Sequence, residues 1–176
     1  DKEIIKEIRS KSYQELLKGS FKRAWLKIPF VVSVIKNMQV ELEKEMDNIK
    51  FFPGVKKFLF DLKKEGYKLA IISSNRVENI NKFIKHNNLD IFDFIHGKTD
   101  LFGKAGYLER FIKDFNLKKS EVIYVGDEIR DVEACKKTGI KIIGVSWGLH
   151  TVEALNKAGV DYIVKKPVEI LQIIGK

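Results

Sequence analysis

The chain has 176 residues, of which 44% are hydrophobic and 32% charged, with three prolines and one cysteine. This length and composition fit one well-filled core with a small appended lobe, and they exclude a disordered or fibrous chain. No stretch approaches the roughly 18 consecutive apolar residues of a membrane span, and a lone cysteine cannot form an internal disulfide. We therefore expect a cytoplasmic protein with no membrane partner.

The formal net charge of +9 suggests a surface that attracts phosphate groups. However, the lysines alternate with glutamates along most predicted helices, as in residues 42–45 and 62–65, which is typical of solvated helix faces. We expect the charge to attract small anionic substrates and predict no nucleic-acid partner.

The first 49 residues carry apolar side chains at helical spacing, interrupted near Pro29, and predict a small helical lobe at residues 1–49. After Pro53 and Gly54 the pattern changes to helices that alternate with short β-branched runs, each closed by glycine, serine or asparagine. This alternation predicts parallel βαβ units over residues 50–176.

The β-branched runs and the amphipathic segments give the element boundaries. Predicted strands cover residues 69–72, 94–95, 122–125, 140–145 and 162–164. Predicted helices cover residues 55–65, 77–86, 104–115, 128–138, 152–158 and 168–174. This order predicts an α/β fold with a doubly wound, Rossmann-like parallel sheet, in which ligands bind beyond the carboxyl ends of the strands.

Residues 123–131 form the most informative segment. An apolar strand ends in Gly126, Asp127 follows at the edge of the sheet, and Asp131 lies one helical turn further along. Two such carboxylates suit Mg²⁺, which takes oxygen ligands and completes its coordination with substrate phosphate. The alternative is that Asp127 caps the next helix and Asp131 is a first-turn acid favoured by the helix dipole.

Two further segments have a structural and a functional interpretation each. Ser73, Ser74 and Asn75 follow a strand that leads into a helix, where a hydroxyl and backbone N–H groups bind phosphate. Serine and asparagine are equally typical helix caps. Lys104, after Gly103, is placed to stabilise a carboxylate nucleophile and a transferring phosphoryl group, but among 33 basic residues it is also a candidate for simple solvation.

The order and spacing of these segments resemble the haloacid dehalogenase superfamily. Ser73 is similar to its second motif, Lys104 to its third, and Gly126-Asp127 with Asp131 to its fourth. The strand and loop at residues 139–148 resemble those of the phosphoglycolate-phosphatase-like branch. The resemblance covers nearly the whole chain, and it implies that the helical lobe is the remainder of a small cap.

The resemblance also implies an activity, a metal and residue roles. The activity is a Mg²⁺-dependent phosphatase for a small phosphorylated metabolite, such as a phosphoglycolate-like monoester, that acts through a phospho-aspartyl intermediate. Ser73 would bond a phosphate oxygen with help from the Ser74 amide, and Lys104 would offset charge on the nucleophile and the phosphate. Asp127 would ligate Mg²⁺, and Asp131 would act on it from further away or through water.

The family's first motif, an apolar strand followed by Asp-x-Asp, has no counterpart in this sequence. Asp1, Asp47 and Asp61 precede the Ser73 strand, but each lies in a helical or capping context. In the family that missing strand lies in the centre of the sheet, where unpaired backbone groups cost about 1–3 kcal/mol each. We therefore expect about 25–40 further residues before Asp1, or a partner chain, to complete the sheet. The chain alone is expected to be inactive.

Two other functions are left open. A non-catalytic binding or interaction module on the same scaffold would need no nucleophile. A haloacid dehalogenase would need no metal, but its fourth motif differs from the one at residues 126–131.

Overall fold

The structure is a computed structural model that describes residues 2–12, 15, 48–97 and 103–175. It divides into two compact units, residues 17–100 and residues 1–16 with 101–176. Most of the helical lobe predicted at residues 1–49 lies outside the described residues, so its boundary and its role as a cap stay predictions. None of the described helices is long and apolar enough to cross a membrane.

The unit of residues 17–100 contains a two-stranded parallel sheet with helices. Its described elements are α2 (Val55–Lys64), β1 (Ala70–Ile72), α3 (Val77–His86) and β2 (Phe94–His96). Ala70 lies opposite Phe94 in the register. The two helices each bury part of an apolar face, and the buried apolar side chains of this unit are Phe58, Leu62, Leu69, Ile80 and Leu89.

Asp93 links the start of β2 to the start of β1. Its Oδ2 accepts hydrogen bonds from the Leu69 backbone N–H and from Lys63 Nζ, both at 2.8 Å. The Lys63 ammonium and the Leu69 N–H stabilise the ionised carboxylate, so they lower the pKa of Asp93 below its ordinary value.

The other unit contains a three-stranded parallel sheet in the order β3-β4-β5. Its described elements are α1 (Lys2–Ser10), α4 (Lys104–Asp114), a 3₁₀ turn (Lys119–Glu121), β3 (Ile123–Gly126), α5 (Ile129–Thr138), β4 (Lys141–Val145), α6 (Val152–Ala158), β5 (Tyr162–Val164) and α7 (Val168–Ile174). The middle strand β4 is the most buried, as its unbroken apolar run predicts. Its Ile142 and Ile143 are buried, as are Val132 and Leu155 on the two helices that contact β4.

The α/β class and the alternation of elements are confirmed. In the part of the chain that the structure describes, predicted and observed boundaries agree within about one residue, and the 3₁₀ turn is the one element that was not predicted. Asp61 lies in α2, where its Oδ2 is 2.5 Å from Lys57 Nζ, as its helical context predicts. Asp1 and Asp47 lie outside the described residues, and the expectation of a further central strand stays a prediction.

Candidate active site

Lys104 is a buried lysine at the first position of α4, with only 6% of its surface exposed. Its Nζ forms an ion pair with Oδ1 of Asp131 on α5 and lies 5.6 Å from the centre of the Tyr124 ring on β3. Because a buried ammonium is costly unless it is paired, this pairing decides the position of the side chain. The alternative interpretation of Lys104 as a solvated lysine is therefore wrong.

Asp131 is 3% exposed, and both of its carboxylate oxygens are occupied. Oδ1 pairs with Lys104, and Oδ2 accepts a hydrogen bond from the Glu128 backbone N–H at 3.3 Å. Burial raises the pKa of Asp131, and the positive charge of Lys104 opposes that rise. Asp131 thus does act as a first-turn acid at the N-terminus of α5. Because both oxygens are already engaged, we expect Asp131 to act on a cation mainly through neighbouring groups or water.

Asp127 follows β3 directly and is held at two points by the loop after β4. Its Oδ2 accepts a hydrogen bond from the Leu149 N–H at 2.7 Å, and its backbone oxygen accepts one from the His150 N–H at 3.1 Å. The N-cap of α5 is Glu128, so the interpretation of Asp127 as the cap is wrong. In the described part of the chain the hydrogen bonds to this carboxylate use Oδ2, which leaves Oδ1 for a cation.

The loop after β4 fits Asp127 because residue 148 is glycine. A Cβ added at Gly148 would lie 2.0 Å from the Asp127 Cβ, a distance that no side chain tolerates. The resemblance at residues 139–148 indicated this glycine, but nothing in the sequence indicated that Leu149 and His150 hold Asp127. The ion pair between Glu128 and Arg130 beside it was also missed, although their opposite charges two residues apart are a weak signal.

Ser73 and Ser74 lie in the unit of residues 17–100, at the carboxyl end of β1. The Ser73 N–H donates to the His96 oxygen at 2.9 Å, and its Oγ accepts from the Asn75 N–H at 3.1 Å. The N-cap of α3 is Arg76, so neither Ser73 nor Asn75 is the cap. Because the Ser73 Oγ accepts a hydrogen bond from Asn75, the hydroxyl hydrogen of Ser73 is the group that could donate to a phosphate oxygen.

The structure therefore brings Lys104 and Asp131 into contact, and it places Asp127 against the 148–150 loop, all within one unit. The catalytic role of Ser73 and Lys104, phosphate binding by these two and Ser74, and metal binding by Asp127 and Asp131 stay predictions. Cys135 offers no alternative nucleophile, since it is fully buried and burial raises the pKa of its thiol to about 12.

The donor chemistry fits a magnesium ion at Asp127. Among the described residues, no group of three or more histidine, cysteine, aspartate or glutamate side chains forms a ready metal site. Mg²⁺ does not need such a group, because proteins hold it through one or two carboxylates together with water and substrate phosphates. Oδ1 of the half-buried Asp127 would serve as one such ligand, and this role stays a prediction.

Comparison with known proteins gives consistent results. A family model described as haloacid dehalogenase-like hydrolase matches residues 1–145. A phosphoglycolate phosphatase from Synechococcus elongatus is 30% identical over 142 residues, which are 80% of this chain and 67% of that protein. Pyrophosphatase PpaX from Bacillus velezensis is 30% identical over 141 residues, which are 76% of this chain and 63% of that protein. The chain thus spans about two thirds or less of the length of these relatives.

Solved structures resemble the whole chain. A haloacid dehalogenase-like family hydrolase from Streptococcus pneumoniae has a TM-score of 0.77 at 20% identity, covering 99% of this chain and 81% of that chain. A predicted phosphatase from Clostridium acetobutylicum has a TM-score of 0.71 at 25% identity, covering 99% and 82%. These likenesses confirm the predicted Rossmann-like α/β fold.

Proposed function

We propose that this chain, which belongs to the phosphoglycolate-phosphatase-like branch of the haloacid dehalogenase-like hydrolases, is part of a Mg²⁺-dependent phosphatase. Its substrate would be a small phosphorylated metabolite. The observation that carries the proposal is the buried pair of Lys104 and Asp131 next to Asp127 at the end of β3. Isolating an ammonium and a carboxylate from water costs several kcal/mol per ion. A phosphoryl-transfer site needs such pre-oriented charge, whereas a packing core does not.

The residues have separate roles in this proposal. Ser73 donates its hydroxyl hydrogen to a phosphate oxygen, and the Ser74 N–H assists. Lys104 uses one N–H on Asp131 and directs its remaining donors to the charge of the nucleophile and the phosphate. Asp127 holds Mg²⁺ through Oδ1, and Asp131 keeps Lys104 in position. When bound, the metal neutralises phosphate charge.

The proposed reaction moves the phosphoryl group to a carboxylate and then to water. The Asp-x-Asp motif that supplies this carboxylate has no counterpart in the sequence. We propose that a segment outside this sequence, or a partner chain, provides the nucleophile together with the strand that carries it. The chain alone would then bind Mg²⁺ and phosphate without completing turnover.

Phosphate release from an aryl phosphate tests the proposal. The assay compares this chain with a version extended by an N-terminal Asp-x-Asp strand, with and without Mg²⁺. We expect activity in the extended protein only, and its loss in Asp127→Asn, which keeps the side-chain size but removes the charge. Asp114→Asn makes the same chemical change at an exposed site on α4 and should have no effect. A folded but inactive extended protein would instead favour a non-catalytic binding module, and halide release from a haloacid would identify a dehalogenase.

The partners and the location are also proposals. The names of the relatives support a phosphoester or phosphoanhydride substrate, and the dispersed charge supports the absence of nucleic acid. A single buried cysteine supports a reducing, cytoplasmic environment.

A further inference from the structure

The end of α1 contacts the loop that holds Asp127, within the same unit. The Thr151 N–H donates to the backbone oxygen of Arg9 at 2.9 Å. The Arg9 guanidinium returns two hydrogen bonds, from Nε to the Leu149 oxygen at 2.9 Å and from a terminal nitrogen to the Gly148 oxygen at 3.4 Å. The fixed fork of a guanidinium suits two neighbouring carbonyl oxygens. We call Arg9 with residues 148–151 the α1–loop contact.

One peptide group in this loop faces both Arg9 and Asp127. The carbonyl of Gly148 accepts from Arg9, and the N–H of the same peptide group, which belongs to Leu149, donates to Asp127 Oδ2. Hydrogen bonds at the two ends of a peptide group polarise each other and restrict its rotation. A change at Arg9 is therefore transmitted to the hydrogen bond that orients the Asp127 carboxylate.

His150 adds a second connection of the same kind. Its backbone N–H donates to the Asp127 oxygen at 3.1 Å, and its ring Nε2 lies 3.1 Å from the backbone oxygen of Lys11, just beyond α1. The ring is buried, with 2% of the residue exposed. Both residues that hold Asp127 are thus held in turn by the segment that includes Arg9 and Lys11.

We propose that Arg9 is a positioning residue for the metal-binding carboxylate of Asp127. The inference rests on the proposed function, because it takes Asp127 as the Mg²⁺ ligand. Because Leu149 holds Oδ2, the orientation of the carboxylate is already restricted before Oδ1 meets the cation, which reduces the entropy lost on binding. Partners that orient a ligand from outside the coordination sphere contribute about 10–100-fold to metal affinity in known sites.

Charge and position predict opposite effects of removing Arg9. A positive charge near the site repels Mg²⁺, so loss of that charge by itself would tighten binding. Loss of the orienting contact would weaken binding. The sign of the change therefore distinguishes a positioning role from a purely electrostatic one.

Magnesium titration of the full chain, followed through the backbone amide signals of Leu149 and His150 by NMR, tests the inference without an activity assay. We expect a saturable response in the wild type that Asp127→Asn abolishes. Arg9→Ala should weaken the apparent Mg²⁺ affinity about tenfold. Arg9→Lys retains the charge but not the forked guanidinium, so its Mg²⁺ affinity should lie between those of the wild type and Arg9→Ala. Lys6→Ala removes the same charge from an exposed position on α1 and should leave the affinity unchanged or slightly tighter.

The outcomes separate this inference from the function on which it rests. If the wild type binds Mg²⁺ through Asp127 but Arg9→Ala matches Lys6→Ala, the positioning role is refuted and the metal site stands. If the wild type gives no saturable response, or Asp127→Asn does not change it, the metal site fails and the inference fails with it. If Arg9→Ala loses the dispersed amide spectrum of a folded protein, Arg9→Lys is compared with wild type instead. Weaker Mg²⁺ binding by Arg9→Lys then supports the positioning role, and equal binding refutes it.

Discussion

Replacing Lys104 by methionine should destabilise the folded protein strongly. Methionine keeps most of the unbranched, apolar part of the side chain but removes the ammonium, and it leaves the Asp131 carboxylate buried with 3% exposure. Among the described contacts the Glu128 N–H, at 3.3 Å, would then be the remaining partner of that carboxylate. Removal of one member of a buried pair costs about 3–5 kcal/mol, against a total of about 5–15 kcal/mol for an ordinary domain.

The cost should depend on pH, with a sign that follows from Asp131. Burial already raises the pKa of this carboxyl in the folded state, and loss of Lys104 removes the charge that opposes the rise. A group whose folded pKa is raised stabilises the fold below its unfolded pKa of about 3.9, and that contribution is lost as the pH rises through the folded pKa. The stability gap between wild type and Lys104→Met should therefore be widest near pH 8 and narrow toward pH 5, by at most about 1.4 kcal/mol per pH unit.

Urea unfolding between pH 5 and 8, in buffer with EDTA, measures this gap. Lys113→Met is the matched control, because Lys113 is exposed on the same helix. The double variant Lys104→Met with Asp131→Leu should regain part of the loss, since an apolar pair of similar volume replaces the ion pair. A loss below about 1 kcal/mol, or one that does not change with pH, would refute the argument that the pair is buried and mutually dependent.

Three further predictions concern other contacts. Gly148→Ala should cost about 1–3 kcal/mol in urea unfolding and abolish the Mg²⁺ response, because the new Cβ collides with Asp127. Gly106→Ala is the control, since its Cβ meets nothing within 4 Å, and it should stabilise the protein by up to about 1 kcal/mol. Asp93→Asn should lower the urea midpoint at pH 7, and the difference from wild type should begin to shrink only as the pH falls below about 4, because a lowered pKa contributes stability that is lost as the pH falls from the unfolded pKa through the folded one. Thr151→Ala should cost about 1 kcal/mol in thermal unfolding and Thr151→Ser much less, because the Thr151 hydroxyl caps α6 by accepting from the Ala154 N–H.

Local pattern was sufficient to predict the elements. The observed helices Val77–His86, Val152–Ala158 and Val168–Ile174 have the predicted boundaries. Helix ends are encoded locally: Gly139 and Gly159 both adopt a positive φ just after α5 and α6, as glycine after a helix predicts. Apolar runs that are bounded in this way leave few alternatives for the order of elements.

The environment of the site residues was less predictable, because long-range contacts determine it. The order of the motifs selected Lys104 among the many lysines, but nothing in the sequence indicated its ion pair with a residue 27 positions away. Asp127 and Leu149 are 22 positions apart, and Arg9 and Leu149 are 140 apart. Helix caps were predicted from residue type, but Glu128 and Arg76 occupy the N-cap positions. Composition identifies which groups are present but not which neighbour each one has.

Asp127 and Asp131 are chemically identical and four residues apart, yet their surroundings give them different capacities. Asp131 has both oxygens engaged in a site with 3% exposure, so it stabilises the fold and holds Lys104. Asp127 has one oxygen engaged by a backbone N–H and is half-buried, so Oδ1 is the atom at which we propose that a cation binds. Changes at the Lys104 pair should therefore act mainly on the free energy of unfolding, and Arg9→Ala mainly on Mg²⁺ affinity. If every one of these variants changed the free energy of unfolding and the Mg²⁺ affinity together, the two carboxylates would not have these separate roles.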